Sequence, residues 1–318
     1  MLTNSEAISE LNDLGASRKP FRFYCDFLGE KWCIEEDSQS NSSLQLKIDS
    51  DSPKSLDQKL TFEKHPIAFD DFKKSFDEVV HQINIGNSFL TNLTFETPIT
   101  ANLSLSEIFS ASRAKYKLLV PDQFVVFSPE TFIKIKKDSI YSYPMKGTID
   151  AALPNAHQSI MDDVKETAEH VTIVDLIRND LSQVARNVEV TKFRYIDRLS
   201  THDKELLQVS SEIRGDVGEN WCEQIGDILA KLLPAGSISG APKPETLKII
   251  QQNEDFKREF YTGICGQFDG EQLDTGVMIR FIKQVDDQLI FCSGGGITSF
   301  SDAQKEYQEM VDKVYLPI

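Results

Sequence analysis

The sequence predicts an α+β fold, antiparallel sheet covered by helices, and three observations carry that expectation. Segments with strand character come in runs, and helical segments fall between the runs rather than alternating with single strands as a parallel sheet would need. No internal repeat divides the 318 residues. No Pro- or Gly-rich linker cuts them either, so one compact domain over 1–318 is expected, with 1–64 as sheet and connector and 65–318 as the core.

The elements follow in order. After a polar leader, "MLTNSEAISELNDLG", the stretches "PFRFYCDF" and "EKWCIEE" read as strands joined at Gly29. The stretches "DSQSNSS" and "DSDSPKS" read as exposed loops around a short "LQLKID". Phe69, Phe72, Phe76, Val79 and Ile83 recur at helical spacing and stop at Gly86, which predicts an amphipathic helix. Strands follow at "SFLTNLTFE", "FVVFS" and "TFIKIKK". Between Met161 and Ala185 apolar residues return every three or four positions, the mark of one long helix. "CEQIGDILAKLL" and "PETLKIIQQN" read as helices, "YTGICGQF", "VMIRFIKQV" and "QLIFCSG" as strands, and "SDAQKEYQEMVDKV" as a closing helix.

Charge and cysteine usage exclude several functions. A formal charge of -16 repels nucleic acid and anionic membrane, so an anionic ligand needs a locally basic pocket. The five cysteines show no metal-ligand spacing and are expected to be reduced thiols. The N-terminus lacks a basic region followed by an apolar run, and no 18 apolar residues run together, so a soluble, cytoplasmic chain is expected.

Several groups of residues can carry chemistry. Ser301 and Gln304 form a capping-box pattern, after which Glu306, Glu309 and Lys313 share one face of the last helix. That face is either a solvated surface or half of a site for a hard cation; Glu166 and Glu169, also one turn apart, are a second such pair. "PAGSISGAPKPETLKII" is a small-residue loop entering a helix, without the Gly-Lys-Ser/Thr ending of a nucleotide loop. Gly294, Gly295 and Gly296 mark either a bend or a close backbone approach to a ligand. Arg280 lies among apolar strand residues and calls for a carboxylate partner, from protein or ligand. Lys146 in "YPMKGTID" is either a strand-end surface charge or a nucleophile.

Together the segments "SFLTNLT", "SPETF", "YPMKGT", "AEHVTIVDLIRNDLSQVA", "AGSISGAPK", "YTGICGQF", "MIRF", "SGGGITSFSD" and "KEYQEMVDKV" resemble, in order and spacing, the chorismate-utilising enzymes over roughly residues 65 to 316. The likeness is greatest to the aminodeoxychorismate synthase component I branch, which serves 4-aminobenzoate and folate synthesis. The resemblance implies a large sandwich of two antiparallel β-sheets with helices packed outside and an active site in the cleft between the sheets. It implies that Glu169 and Glu309 hold Mg²⁺, with Glu306 behind them, and that the metal meets the ring carboxylate of chorismate. Arg280 and Lys313 would hold chorismate's carboxylates, helped by backbone N–H groups of Gly294, Gly295 and Gly296 and of the loop carrying Ser237, Ser239 and Gly240. Glu130 would protonate the departing 4-hydroxyl. Lys146 stands where the C4-aminating branch has lysine and anthranilate synthases usually have alanine, and would attack C2 before ammonia enters at C4. A neutral amine there calls on desolvation or on cationic neighbours such as Arg280 or Lys313.

Other positions narrow the activity. Leu90 stands where isochorismate and salicylate synthases carry a water-activating lysine. The "NPSPY" of the tryptophan site is replaced by "KYKLLVPDQF", and the N-terminal portion is short for the family. Leu207 takes the place of a usual histidine, which keeps a non-catalytic chorismate-binding subunit as an alternative beside anthranilate synthase component I. "GICGQ" around Cys265 looks like a nucleophile elbow but falls within a strand motif. The implied partners are therefore chorismate, ammonia, a glutamine amidotransferase subunit and a separate lyase, with no nucleic acid and no membrane.

Overall fold

The computed structural model describes residues 1–37, 44–49, 53–56, 58–200 and 205–318, so the loops expected over "DSQSNSS" and "DSDSPKS" lie in large part outside the described residues. The chain opens with β1 (Leu2–Thr3) and α1 (Asn4–Ala16), where only a polar leader was expected. The helix has a start signal after all: Glu6 accepts hydrogen bonds from the Thr3 N–H (2.9 Å) and hydroxyl (2.8 Å), and Ala7, Leu11 and Leu14 bury one face. Next come β2 (Phe21–Cys25), β3 (Lys31–Glu36), β4 (Gln45–Ile48) and β5 (Phe62–Lys64). The expected amphipathic helix is α2 (Phe69–Asn84), with Gly86 at φ +88° just beyond it.

After it come β6 (Leu90–Ala101) and α3 (Leu105–Ala111), whose N-cap Ser104 accepts the Glu107 N–H. The strands β7 (Tyr116–Val120), β8 (Phe124–Ser128), β9 (Thr131–Lys136), β10 (Ser139–Ser142) and β11 (Met145–Asp150) follow. The long helix expected from Met161 to Ala185 is two helices, α4 (Ala156–Asp162) and α5 (Val164–Leu181). Asp163 divides them because its carboxylate caps α5, accepting the Glu166 N–H at 2.9 Å.

Then come β12 (Arg186–Ser200), β13 (Glu205–Asp216), a 3₁₀ turn over Trp221–Gln224, α6 (Ile225–Leu232), α7 (Gly236–Ser239), β14 (Gly240–Ala241) and α8 (Lys243–Asn253). The end of the chain holds β15 (Ile264–Phe268), β16 (Gln272–Val277), β17 (Phe281–Val285), β18 (Gln288–Ile297) and α9 (Ala303–Asp312). "VMIRFIKQV" is therefore not one strand: Val277 ends β16, Phe281 starts β17, and Arg280 between them has φ +53°. Periodicity missed the break because the apolar residues continue straight through it.

The chain divides into two compact units, each with its own antiparallel sheet. One takes the N-terminal segment, 130–237 and 264–276, and orders its strands β1-β3-β2-β15-β16-β9-β10-β13-β11, with β12 also on β13. The other ends with 238–263 and 277–318 and orders its strands β14-β6-β18-β17-β8-β7-β4, with β5 on β6. The expected α+β class with two antiparallel sheets and helices is what the chain forms.

Each unit fixes the helix that matters for chemistry. In the second, Phe72, Phe76, Val79 and Ile83 of α2 pack with Leu93 and Phe95 of β6 and with Met310 of α9, so burial of that stripe sets how α9 turns toward β18. Truncating Phe72 there would cost ~3–5 kcal/mol. In the first, α4 and α5 both pack on β11.

Candidate functional site

Lys146 sits in a bulge. Met145 pairs with Ser210 and Thr148 with Gln208, so Lys146 and Gly147 together oppose the single residue Val209. Gly147 has φ +85°, a conformation that strains any residue with a side chain, and a Cβ there would also press on the Glu166 carboxylate at 3.1 Å. The bulge re-aims Lys146, whose Nζ lies 2.7 Å from Glu169 Oε2, the lysine side chain being 29% and the glutamate side chain 6% exposed. An adjacent carboxylate favours the ammonium form, the opposite of the cationic neighbours that a nucleophile would call on.

His170 follows Glu169 on α5 and is wholly buried, with Nε2 2.7 Å from Ser211 Oγ of β13. Burial, with Arg194 nearby, pushes its imidazole down to about 4, so the ring is neutral at ordinary pH. Sequence reasoning passed over this histidine because a lone His on an amphipathic helix carries no spacing signal. Leu207 is a buried apolar residue of β13 opposite Ile149 of β11. In the same unit the Ser237 hydroxyl donates to Glu130 Oε1 at 2.5 Å, joining two predicted residues 107 positions apart. Cys265, within β15, is fully buried and its thiol is pushed up to about 12, so it is no elbow nucleophile.

The second unit collects the other predicted residues. On α9, Glu306 is buried, Glu309 pairs with Lys313 at 2.7 Å, and Lys313 donates to the Gly294 carbonyl at 2.8 Å. The helix is capped by Asp302, whose carboxylate accepts the Lys305 N–H at 3.0 Å, and not by the expected Ser301; the Ser301 hydroxyl instead accepts the Thr298 N–H. The three glycines do not leave the strand: Gly294, Gly295 and Gly296 pair along β6 with Thr94, Leu93 and Asn92, while β17 reaches only as far as Cys292. A Cβ on Gly294 would stand 2.2 Å from the Leu93 carbonyl, which explains glycine there. A Cβ on Gly295 would instead lie 3.6 Å from Glu306 Oε2, 3.6 Å from Lys313 Nζ and 3.8 Å from Glu309 Oε1. Gly295 thus leaves a cradle rimmed by two carboxylates and one ammonium.

Those two carboxylates suit Mg²⁺ in donor chemistry, since that ion takes a few carboxylate oxygens and keeps other positions for water or substrate. Among the described residues no group of three or more His, Cys, Asp or Glu is gathered for a metal. Arg280 has its guanidinium 5.6 Å from the Tyr315 ring centroid, and among the described residues its buried Nε has no hydrogen-bond partner. A buried cationic donor in that condition suits an anionic ligand.

Ser239 is buried, and Gly240 pairs with Thr91 at φ +109°, where a Cβ would meet the Leu90 carbonyl at 1.9 Å. The loop is held by a pair that sequence reasoning missed. Arg258 binds Glu254 through two hydrogen bonds (2.8 and 2.6 Å) and donates to the carbonyls of Ile238 (3.1 Å) and Asn92 (2.7 Å), while Glu254 accepts the Thr94 N–H and hydroxyl. Their spacing of four was the available signal, but only the fold shows that both side chains are 2% exposed.

The family model for chorismate binding enzymes matches residues 7–317. The chain belongs to that family. A Haemophilus influenzae protein named an uncharacterized PabA-like protein is 51% identical over 99% of this chain and 98% of its own length. Aminodeoxychorismate synthase component 1 of Bacillus subtilis is 29% identical over 79% of this chain and 55% of its own. The solved anthranilate synthase component I of Streptococcus pneumoniae aligns with TM-score 0.68 and 26% identity, over 80% of this chain and 58% of that one. Among the described residues no helix is long and apolar enough to cross a membrane.

Proposed function

We propose that this member of the chorismate-binding enzymes aminates chorismate at C4, giving 4-amino-4-deoxychorismate for 4-aminobenzoate and folate synthesis, with ammonia from a glutamine amidotransferase partner and pyruvate removed by a separate lyase. The observation that carries the reading is Lys146 in its bulge, 2.7 Å from Glu169. Glu169 holds the lysine as an ammonium at rest, and in this reading the same carboxylate is within reach to take the proton that must leave before the amine attacks. Arg280, Lys313 and the backbone of Gly294, Gly295, Gly296, Ser237, Ser239 and Gly240 bind chorismate in this reading. Glu169 and Glu309 hold Mg²⁺ with Glu306 behind them; the ion, when bound, supplies positive charge to the ring carboxylate.

The chain's own groups do the rest. Lys146 Nζ bonds to C2, the ring double bond shifts, and the C4–O bond breaks as Glu130 gives its proton to the oxygen, which leaves as water. Ammonia then bonds to C4, the double bond shifts back, and the C2–Nζ bond breaks with its electron pair returning to the lysine.

Likeness to anthranilate synthase component I supports a second reading, amination at C2, and product regiochemistry separates the two. Purified chain with chorismate, Mg²⁺ and ammonium is expected to give the C4 product, and glutamine is expected to serve only when an amidotransferase is added. Lys146→Ala should slow C4 amination more than about a hundredfold, equivalent to ~3 kcal/mol in the barrier. Lys146→Arg should fail too, because a guanidinium supplies no neutral amine. A fast Lys146→Arg enzyme, or anthranilate as the wild-type product, would end this reading.

A further inference from the structure

We propose that the buried pair of Glu254 and Arg258 positions the chorismate-binding backbone, holding residues 239–240 and 294–296 in fixed register on either side of β6. The inference rests on the reading of those two segments as N–H donors to the substrate. β6 lies between them, since Gly240 pairs with Thr91 on one edge and Gly296 with Asn92 on the other. On the first edge β14 covers Leu90 and Thr91, and β5 pairs only from Ile99 onward. Backbone groups alternate between the two edges of a strand. The Leu90 carbonyl faces Gly240 and the Leu93 carbonyl faces Gly294, so Asn92 and Thr94 point to the first edge, where neither β14 nor β5 reaches them.

The side-chain pair fills that gap. Arg258 donates to the Asn92 carbonyl at 2.7 Å and Glu254 accepts the Thr94 N–H at 2.9 Å, as a neighbouring strand would. The same guanidinium reaches the Ile238 carbonyl (3.1 Å) and the Thr262 hydroxyl (3.4 Å), and closes on Glu254 through two further N–H groups (2.8 and 2.6 Å). All five of its N–H groups are thereby engaged. An ammonium has only three to offer and no fork to spread them. One guanidinium thus ties the segment leading into Gly240 to the β6 residue that faces Gly296, and both side chains of the pair are 2% exposed.

Two variants and a control test this, each below its melting range. Arg258→Lys keeps a charge beside Glu254 but loses the fork, and Thr94→Val removes the hydroxyl that donates to Glu254. Leu11→Ala loosens the buried face of α1 in the other unit and controls for destabilisation alone. Without ligand, amide hydrogen exchange read by peptide mass spectrometry is expected to quicken about tenfold over 92–94 and 239–241 in Arg258→Lys, less in Thr94→Val, and not in Leu11→Ala. Equilibrium dialysis with chorismate should show Kd raised about tenfold in Arg258→Lys, about threefold in Thr94→Val and less than about twofold in Leu11→Ala. In turnover, Arg258→Lys should raise KM about tenfold while kcat stays within about threefold. Unchanged exchange or unchanged Kd in a folded Arg258→Lys protein overturns the proposal. So does equal weakening by Leu11→Ala, and so does loss of fold in both Arg258→Lys and Thr94→Val, which would make the pair a support of the fold alone. Where only Arg258→Lys fails to fold, Thr94→Val decides by the same two readouts. If wild type binds chorismate without giving the C4 product, the amination reading fails while Kd still decides the role of the pair; if it binds none, the substrate reading fails and exchange decides whether the pair sets the register.

Discussion

Two ion pairs, one in each unit, are built in opposite ways. Glu309 and Lys313 are one turn apart on a single helix, and Glu309 is 52% exposed. Glu169 and Lys146 come from a helix and a strand bulge, and the glutamate is buried. Spacing on one helix brings charges together whatever the rest of the fold does, whereas a pair across elements exists only if bulge, cap and packing all hold. Arg258 and Glu254 complete the contrast: they share the four-residue spacing of Glu309 and Lys313 but are almost wholly buried. Burial, not spacing, should set what each pair contributes.

Arg258→Met should break that comparison most visibly. It leaves Glu254 buried without its cation and is expected to cost ~3–5 kcal/mol, read as a fall in urea midpoint at constant slope. A loss under ~1 kcal/mol would show that burial is not what distinguishes the pairs.

Lys117 extends the comparison to a buried cation with no ion pair among the described residues. It is 2% exposed, donates to the Ser112 carbonyl at 2.6 Å, lies 5.0 Å from the Phe109 ring centroid and faces Lys47 across the sheet. Burial first, then Lys47, pushes its ammonium down to about 8. Between that value and its ordinary ~10.5 the unfolded chain holds the extra proton, so stability should rise with pH across this window and carry a penalty of up to about 3 kcal/mol below it. Urea titrations of wild type and Lys117→Met should diverge at pH 7 and converge near pH 10.5; parallel curves would refute the assignment.

Glu169→Gln and Glu309→Gln compare the two ion pairs directly. The first should cost ~1–3 kcal/mol of stability, the second less than ~1 kcal/mol, because water already solvates Glu309. Equal losses would remove the distinction. The smallest effects are at the caps: Thr3→Ala in one unit and Ser104→Ala in the other should each cost ~1 kcal/mol, seen as shifts of a few degrees or less in thermal melting.

How much was legible follows the same divide. The α9 cluster could be read from spacings of three and four, α2 from its phenylalanine stripe, and the strand runs from alternation. The α1 helix carried Thr3-x-x-Glu6 and the Ala7, Leu11, Leu14 stripe, but its polar surface hid them. Neither the break at Asp163 nor the turn at Arg280 interrupts the apolar pattern, because a cap and a single left-handed residue change direction without changing composition. The contacts of Lys146 with Glu169, of Ser237 with Glu130 and of His170 with Ser211 join distant segments, and no local signal encodes them.

The strand order constrains how this chain can be made. β15 and β16 lie between β2 and β9 in one sheet, and β17 and β18 lie between β6 and β8 in the other. A chain still lacking residues 264–297 would have both sheets in two pieces, with open edges at β2, β6, β8 and β9. The two units interleave along the sequence, and the first has all its residues only at 276, after most of the second has been made. Synthesis must pass β16 before the first sheet closes and β18 before the second does, and until then strands stand unpaired, of the kind chaperones cover.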